Sequence, residues 1–336
     1  MKIADRLKNF EGYGCGPREE GIHLDKNETP FGLPNDIKDD IFEELRETQL
    51  NRYPPLIPET LEKKIADYVG CSTEKISVGN GSDALLPLLF ELFDADQVVL
   101  NPTTFSMYSF YAKRKGLEIN EIPLDENFVI PSYLDVLEKR SIICICSPNN
   151  PTGNRQPRDQ IIEALESENI VILDEAYVEF SRESNIDLIE KYDNLIVLRT
   201  LSKAFGLAGL RIGYCVGSVE MMEYLNKIRS PFSQDILSIK IAERLFEYTE
   251  MIENNVKKIV DERDRIFKRF KDHAYPSQSN FILIDLDAYE YLRDRGIHVR
   301  KMGGRLEGMI RVTVGKEEEN DELISELERF IEGSKR

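Results

Sequence analysis

Tryptophan is absent from the chain, and histidine is nearly so: His23, His273 and His298 are the only three among 336 residues and lie far apart. That spacing gives little support to a zinc site or to a Ser-His-Asp triad. Cysteine is sparse and odd in number, and Cys15, Cys71, Cys144, Cys146 and Cys215 show no framework spacing. Such usage fits a reducing, cytoplasmic compartment rather than a disulfide-stapled secreted fold. Cys144 and Cys146 stand two apart in an apolar run, which puts them on one face of a buried strand as small core hydrophobes, not as a metal or redox pair. No apolar run approaches the roughly 18 residues of a membrane helix. The opening MKIADRLKNFEGY lacks the apolar stretch of a signal peptide. Positive charge is short as well: Lys and Arg total 44 against 61 Asp and Glu, a net −17. This disfavours a nucleic-acid or anionic-membrane partner, since both need basic patches. An anionic substrate would be repelled by the chain as a whole, so arginines placed locally must receive it. No internal repeat or low-complexity segment is present.

What is there is enough chain for two domains and a large core. Short apolar runs at 76–78, 98–100, 142–146, 170–173, 195–198 and 214–216 read as strands, and helical segments at 36–50, 59–69, 84–93 and 158–167 alternate with the earlier ones. Unalternated apolar strands imply a mostly parallel sheet covered on both faces, an α/β fold. From about 234 the texture changes to one long helix over 235–270, strands at 280–284, 297–299 and 309–314, and helices at 287–294 and 318–332. The expected organisation is an N-terminal arm (1–30) punctuated by Gly and Pro, a large domain (31–233) and a smaller α+β domain (234–336).

The chemistry gathers around TLSKAFGLAGLRIG, residues 200–213. Lys203 sits just past an apolar strand among Thr200, Ser202, Ala204, Gly206, Ala208 and Gly209. A desolvated lysine has a lowered pKa and becomes an amine nucleophile fit for Schiff-base chemistry; the alternative is a loop lysine without chemistry. Arg211 supplies a fixed cation suited to a phosphate. Gly79-Asn-Gly-Ser-Asp83 joins a strand to a helix and leaves free amides at the helix N-terminus, an anion site, although Asp83 by itself is also a plain helix cap. The aromatics of Pro102–Tyr108 lie at a strand's carboxyl end, as site lining or as core. Ser147-Pro-Asn-Asn-Pro-Thr-Gly153 offers side-chain amides where α/β folds place ligands. Asp174 and Tyr177 put an acid and a phenol at the end of another strand, with a helix cap as the plain alternative for Asp174. Tyr53, in a proline turn, presents an aromatic hydroxyl. Lysine, carboxylate, amide, phenol, aromatic plate and phosphate turn together form the set that pyridoxal 5′-phosphate requires, because its aldehyde needs an amine and its pyridine nitrogen a carboxylate.

On these motifs, with Leu24-Asp-Lys-Asn-Glu28, Arg52-Tyr-Pro54, Gly209-Leu-Arg-Ile-Gly213 and Ile310-Arg-Val-Thr-Val-Gly315, the chain resembles the fold-type-I pyridoxal-phosphate aminotransferases over nearly its full length, and among them the histidinol-phosphate aminotransferases. The resemblance implies a large domain with a mostly parallel seven-stranded sheet, a smaller C-terminal domain and an N-terminal arm. It implies Lys203 as the Schiff-base lysine and proton shuttle, and Asp174 on the pyridine nitrogen. Asn150 and Tyr177 would meet the ring oxygen, and Phe105 the ring face. Gly81, Ser82, Asp83, Thr200, Ser202 and Arg211 would hold the cofactor phosphate. Tyr53 is implied to reach the cofactor phosphate of a neighbouring subunit, making a homodimer with shared sites. Arg311 is implied for the substrate carboxylate with Asn150, Arg300 for the substrate phosphate, and Tyr13 and Asn27 for closure over the substrate. The plain alternative for Arg300 is a solvated strand-edge charge. Two departures stand out: Phe105 occupies a place where many relatives carry tyrosine, and Ala84 one where they often carry glutamate. The expected activity is reversible transamination between L-histidinol phosphate and 2-oxoglutarate. Aromatic-amino-acid transamination, threonine-phosphate decarboxylation and a cofactor-binding regulatory domain without turnover are the rival readings.

Overall fold

The computed structural model describes residues 8, 12, 14, 19–132 and 139–334. Its strands in chain order are β1 (Ile22–Leu24), β2 (Ile76–Asn80), β3 (Gln97–Leu100), β4 (Glu118–Glu121), β5 (Ser141–Cys146), β6 (Ile170–Asp174), β7 (Leu195–Thr200), β8 (Ile212–Val216), β9 (Phe281–Ile284), β10 (Ile297–Lys301) and β11 (Ile310–Thr313). They form two sheets. One has seven strands in the order β2-β8-β7-β6-β5-β3-β4, the other four in the order β1-β10-β11-β9. In the larger sheet β4, β3, β5, β6 and β7 run parallel and only β8 opposes its neighbours. The expected mostly parallel α/β fold is therefore present.

Burial on both faces explains the unalternated strands. Along β5, Ile142, Cys144 and Cys146 enter one core with Leu85, Leu89 and Tyr108, while Ile143 and Ile145 enter the other with Leu61, Ile65 and Ile161. The two cysteines share a face, as period two requires, and burial pushes both thiols up. Among the described residues no group of three or more His, Cys, Asp or Glu could hold a metal. No helix among them is long and apolar enough to cross a membrane. In the smaller sheet Leu24, Ile282, Val299 and Val312 pack against Ile266 and Leu327 from the helices Thr249–Arg269 and Glu317–Ser334.

The single helix expected over 235–270 is in fact two, Ile236–Leu245 and Thr249–Arg269, joined by a 3₁₀ turn, Phe246–Tyr248. Tertiary contacts make the break: Phe246 packs its ring on Tyr68 (5.7 Å) and Phe205 (5.2 Å). The edge strand β4 and the helix Met107–Lys115 carry too weak an apolar period to be read from sequence; the helix Val219–Ile228, absent from the expected elements, has a clear one and begins at a Ser218 cap that accepts the Met221 amide.

Two consequences matter for function. The carboxyl ends of β5, β6 and β7 open side by side, where open parallel sheets bind ligands. The smaller sheet faces the same opening. The resulting cavity, of about 1040 Å³, takes its lining from both sheets.

Candidate active site

At one end of the cavity the chain builds an anion cradle. β2 passes through Gly79 and Asn80 into the helix Ser82–Leu92, whose first amides are unspent at the N-terminus. Gly81 holds φ +76, and a Cβ there would lie 2.6 Å from Nη2 of Arg211. Gly213, behind it on β8, has its Cα so close that a Cβ would meet the Ser82 nitrogen at 2.2 Å. Both glycines therefore bring the helix start against the sheet. Arg211 donates to Asp83 Oδ2 (3.0 Å) and Ser202 Oγ (3.3 Å). Thr200 Oγ1 accepts the Ser202 amide at 3.1 Å. Ser82, Asp83, Thr200, Ser202 and Arg211 all line the cavity. A cation, two hydroxyls and a helix N-terminus on one small patch suit a phosphate.

Lys203 follows on the loop after β7. Burial, with the nearby Arg311 cation, lowers its ammonium to about 8. Its Nζ donates to the Lys26 carbonyl at 3.0 Å and lies 5.8 Å from the centre of the Tyr177 ring. Asp174, the last residue of β6, is 4% exposed, and burial raises its carboxyl to about 6. Two donors oppose that rise: Tyr108 Oη at 2.7 Å and the Ala176 amide at 3.0 Å. Phe105 lines the cavity and meets Tyr108 edge-on, with ring centres 5.6 Å apart. Tyr108 is one of the two aromatics of Pro102–Tyr108 read as site lining or core; the sequence gives it no role toward Asp174.

Across the cavity, Tyr177 Oη accepts from Asn27 Nδ2 (2.9 Å) and Asn150 Nδ2 (3.3 Å). Burial pushes the phenol up. Asn150 Oδ1 accepts from Arg311 Nη1 at 2.6 Å, and Arg311 Nη2 donates to the Asp25 carbonyl, also at 2.6 Å. Arg300 is the direct cross-strand partner of Arg311 and lines the same cavity. The described residues give Arg300 neither a hydrogen bond nor an ion pair.

The structure thus brings Ser82, Asp83, Phe105, Asn150, Asp174, Tyr177, Thr200, Ser202, Lys203, Arg211, Arg300 and Arg311 to one cavity; Gly81 does not line it but lies against Arg211. Asn27 lines it too, but is 1% exposed and tied into the protein. Tyr53 is not in the cavity of its own chain; it is 81% exposed and stacks on Phe232 at 4.7 Å. Tyr13 lies outside the described residues.

Residues 19–327 match the family Aminotransferase class I and II. A histidinol-phosphate aminotransferase from Pyrococcus furiosus is 45% identical over 332 residues, 98% of each chain. One from Thermococcus gammatolerans is 46% identical over 333 residues, again 98% of each. The fold is shared with a histidinol-phosphate aminotransferase from Sinorhizobium meliloti, crystallised in complex with pyridoxal-5′-phosphate, at TM-score 0.85 and 23% identity over 96% of both chains.

Proposed function

Because the chain belongs to the aminotransferase class I and II family, we propose that it interconverts L-histidinol phosphate and 2-oxoglutarate with imidazole acetol phosphate and L-glutamate, in histidine biosynthesis. The observation that carries this reading is the placement of the desolvated Lys203 amine in one cavity with a phosphate cradle at one end and the Arg300–Arg311 pair at the other.

The donor set fits pyridoxal 5′-phosphate on features of the chain itself: a half-buried lysine whose ammonium is lowered to about 8, a buried carboxyl, and a glycine cradle that a Cβ would fill. When bound, the cofactor supplies an aldehyde for amines and a protonated ring that takes up the electron pair left by loss of the substrate's α-proton. The amides of Ser82 and Asp83, with Thr200, Ser202 and Arg211, would hold its phosphate; the Gly81 amide, expected to join them, already donates to the Gly79 carbonyl at 2.8 Å, and Gly81 serves by its close approach to Arg211 instead. Asp174 would face the pyridine nitrogen and favour its protonated form. Phe105 covers the ring face. Asn150 and Tyr177 serve the ring oxygen. Lys203 Nζ, with a pKa of about 8, would be the amine that holds the cofactor's aldehyde carbon, and as a free amine would take the proton from the substrate carbon bearing the amine. Arg311, already bonded to Asn150, forks onto a substrate carboxylate. Arg300 takes the substrate phosphate, and Tyr13 completes the closure. The amino donor leaves before the acceptor enters, so one site meets a phosphate and a dicarboxylate in turn.

The functional unit is a homodimer in which Tyr53 reaches the cofactor phosphate of the neighbour; its 81% exposure, beside exposed Leu50, Leu56 and Phe232, supports this. The absence of a membrane-crossing helix among the described residues accords with a cytoplasmic enzyme. The division into arm (1–30), large domain (31–233) and small domain (234–336) is retained, with all seven strands of the larger sheet inside the second segment and three of the four others inside the third.

The test is an absorbance spectrum of the protein loaded with pyridoxal 5′-phosphate, followed as L-histidinol phosphate is added. A visible band of the lysine-bound cofactor that collapses, with imidazole acetol phosphate formed, is the expected result. A band that responds to glutamate or phenylalanine but not to histidinol phosphate would discard the substrate; carbon dioxide release from threonine phosphate would favour the decarboxylase.

A further inference from the structure

Two side-chain amides converge on the phenol of Tyr177 (2.9 and 3.3 Å). The two ends of an amide have nearly the same shape, so the end that faces the phenol follows from the obligate donors around each. At Asn150 the far end meets Arg311 Nη1 at 2.6 Å. A guanidinium only donates, so that end is Oδ1 and the NH₂ faces the phenol. At Asn27 the argument runs through Thr313. Its Oγ1 accepts the backbone N–H of Asn27 at 2.9 Å and donates its own hydrogen to Asn27 Oδ1 at 3.2 Å. Reversing the Asn27 amide would leave the buried Thr313 hydrogen without an acceptor among the described residues, a costly loss in a site where Thr313 is 2% exposed. Asn280 Nδ2 fastens the Asn27 carbonyl at 3.1 Å and holds the residue at φ +54, a conformation asparagine tolerates.

A phenol has one hydrogen and two lone pairs. Here both lone pairs are occupied by amides, and no acceptor among the described residues takes the hydrogen. It is left for the cavity that Tyr177 lines. We infer that Asn27 and Thr313 form a positioning relay that fixes Tyr177 as a hydrogen-bond donor toward an acceptor oxygen bound in the cavity. The relay rests on the function proposed above, where that oxygen belongs to the ring of pyridoxal 5′-phosphate. It gives Asn27 a different part from closure over the substrate: Asn27 acts through Tyr177. It also ties β11 of the smaller sheet to the cofactor pocket.

Asn27→Asp tests the relay without changing shape. A carboxylate only accepts, so the Tyr177 hydrogen turns toward it and away from the cavity. The protein is loaded with pyridoxal 5′-phosphate, and two quantities are read: the pH midpoint of the visible cofactor absorbance and the dissociation constant by equilibrium dialysis. A donor on the ring oxygen stabilises its negative charge and weakens its hold on the neighbouring proton. Losing that donor should move the midpoint up by about one pH unit and weaken binding about tenfold. Thr313→Val, which adds no charge, should shift the midpoint the same way by less, and Thr313→Ser should restore it. A merely structural contact would lower the melting temperature and leave the midpoint in place, and that result overturns the relay. Should Asn27→Asp fail to fold, equal midpoints in Thr313→Val and Thr313→Ser overturn it. A wild-type protein with no visible band removes the underlying functional reading instead, a result distinct from a band whose midpoint ignores these residues.

Discussion

Tyr108 donates its phenolic hydrogen to Oδ2 of Asp174 across 2.7 Å, and neither residue is more than 4% exposed. The bond stabilises a carboxylate that burial otherwise drives toward neutrality. Tyr108→Phe should therefore raise the Asp174 pKa further and leave the carboxyl more protonated at pH 7. The expected effect is about tenfold weaker binding of pyridoxal 5′-phosphate at pH 7, recovering toward pH 9, in a chain that folds normally. Equilibrium dialysis across that range checks it; a loss independent of pH would assign Tyr108 to packing alone.

Asp174→Asn should separate stability from function. The folded carboxyl titrates near 6 and the unfolded one near 3.8, because burial disfavours the charge. A raised acid pKa means the folded state holds its proton longer. Between pH 4 and 6 the unfolded chain ionises while the folded carboxyl keeps its proton, so the fold loses stability as pH rises, reaching a constant cost of order 3 kcal/mol above 6. The cofactor-free Asn variant should melt higher than the parent at pH 7.5, with the gap closing toward pH 4, while transamination is lost. A variant that melts lower at pH 7.5 would contradict this.

Lys203 is lowered to about 8 first by burial and then by the Arg311 cation. Only the neutral amine attacks an aldehyde. Uptake of pyridoxal 5′-phosphate by the cofactor-free protein should thus accelerate about tenfold per pH unit below 8 and level off above it. Arg311→Met should move that midpoint upward. Stopped-flow absorbance reads both, and a midpoint near that of an ordinary lysine would refute a desolvated amine.

The fold class was legible because β5, β6 and β7 are buried on both faces and so read as unbroken apolar runs. The chemistry was legible where a motif and a strand end coincide, as at Asp174 and Lys203. Tyr108 was legible only as an aromatic at a strand end; its task was not, because it depends on a hydrogen bond between residues 66 apart. The break at Phe246 escaped because packing on Tyr68 and Phe205 decides it, and the amphipathic period runs through it. Asn27 was marked as part of the site, but its direction of bonding is set by Thr313, 286 residues away.

Arg300 lies beside Arg311 in register yet engages no hydrogen-bond or ion-pair partner among the described residues. A cation left open in a chain of net charge −17 fits a site that receives an anion. Arg300→Ala should raise KM for L-histidinol phosphate about 10- to 100-fold, the worth of a charge-assisted pair, and leave the glutamate half-reaction nearly unchanged. Half-reaction kinetics separate the two; equal losses in both would deny Arg300 a phosphate-specific role.

Tyr53 poses the question of whose site it serves. It stacks on Phe232 at the surface and does not line the cavity of its own chain. Lys203→Ala should abolish transamination with the fold intact, and Tyr53→Ala should weaken cofactor retention. Each homodimer would then be impaired. If Tyr53 acts across the interface, a hybrid dimer of the two variants pairs an intact Lys203 with an intact Tyr53 at one of its sites and concentrates both lesions at the other. Co-refolding the variants should therefore restore activity that neither shows alone, because a twofold interface exchanges the same residue in both directions. If Tyr53 served its own chain, every site in the hybrid would lack one of the two groups, and mixing would restore nothing.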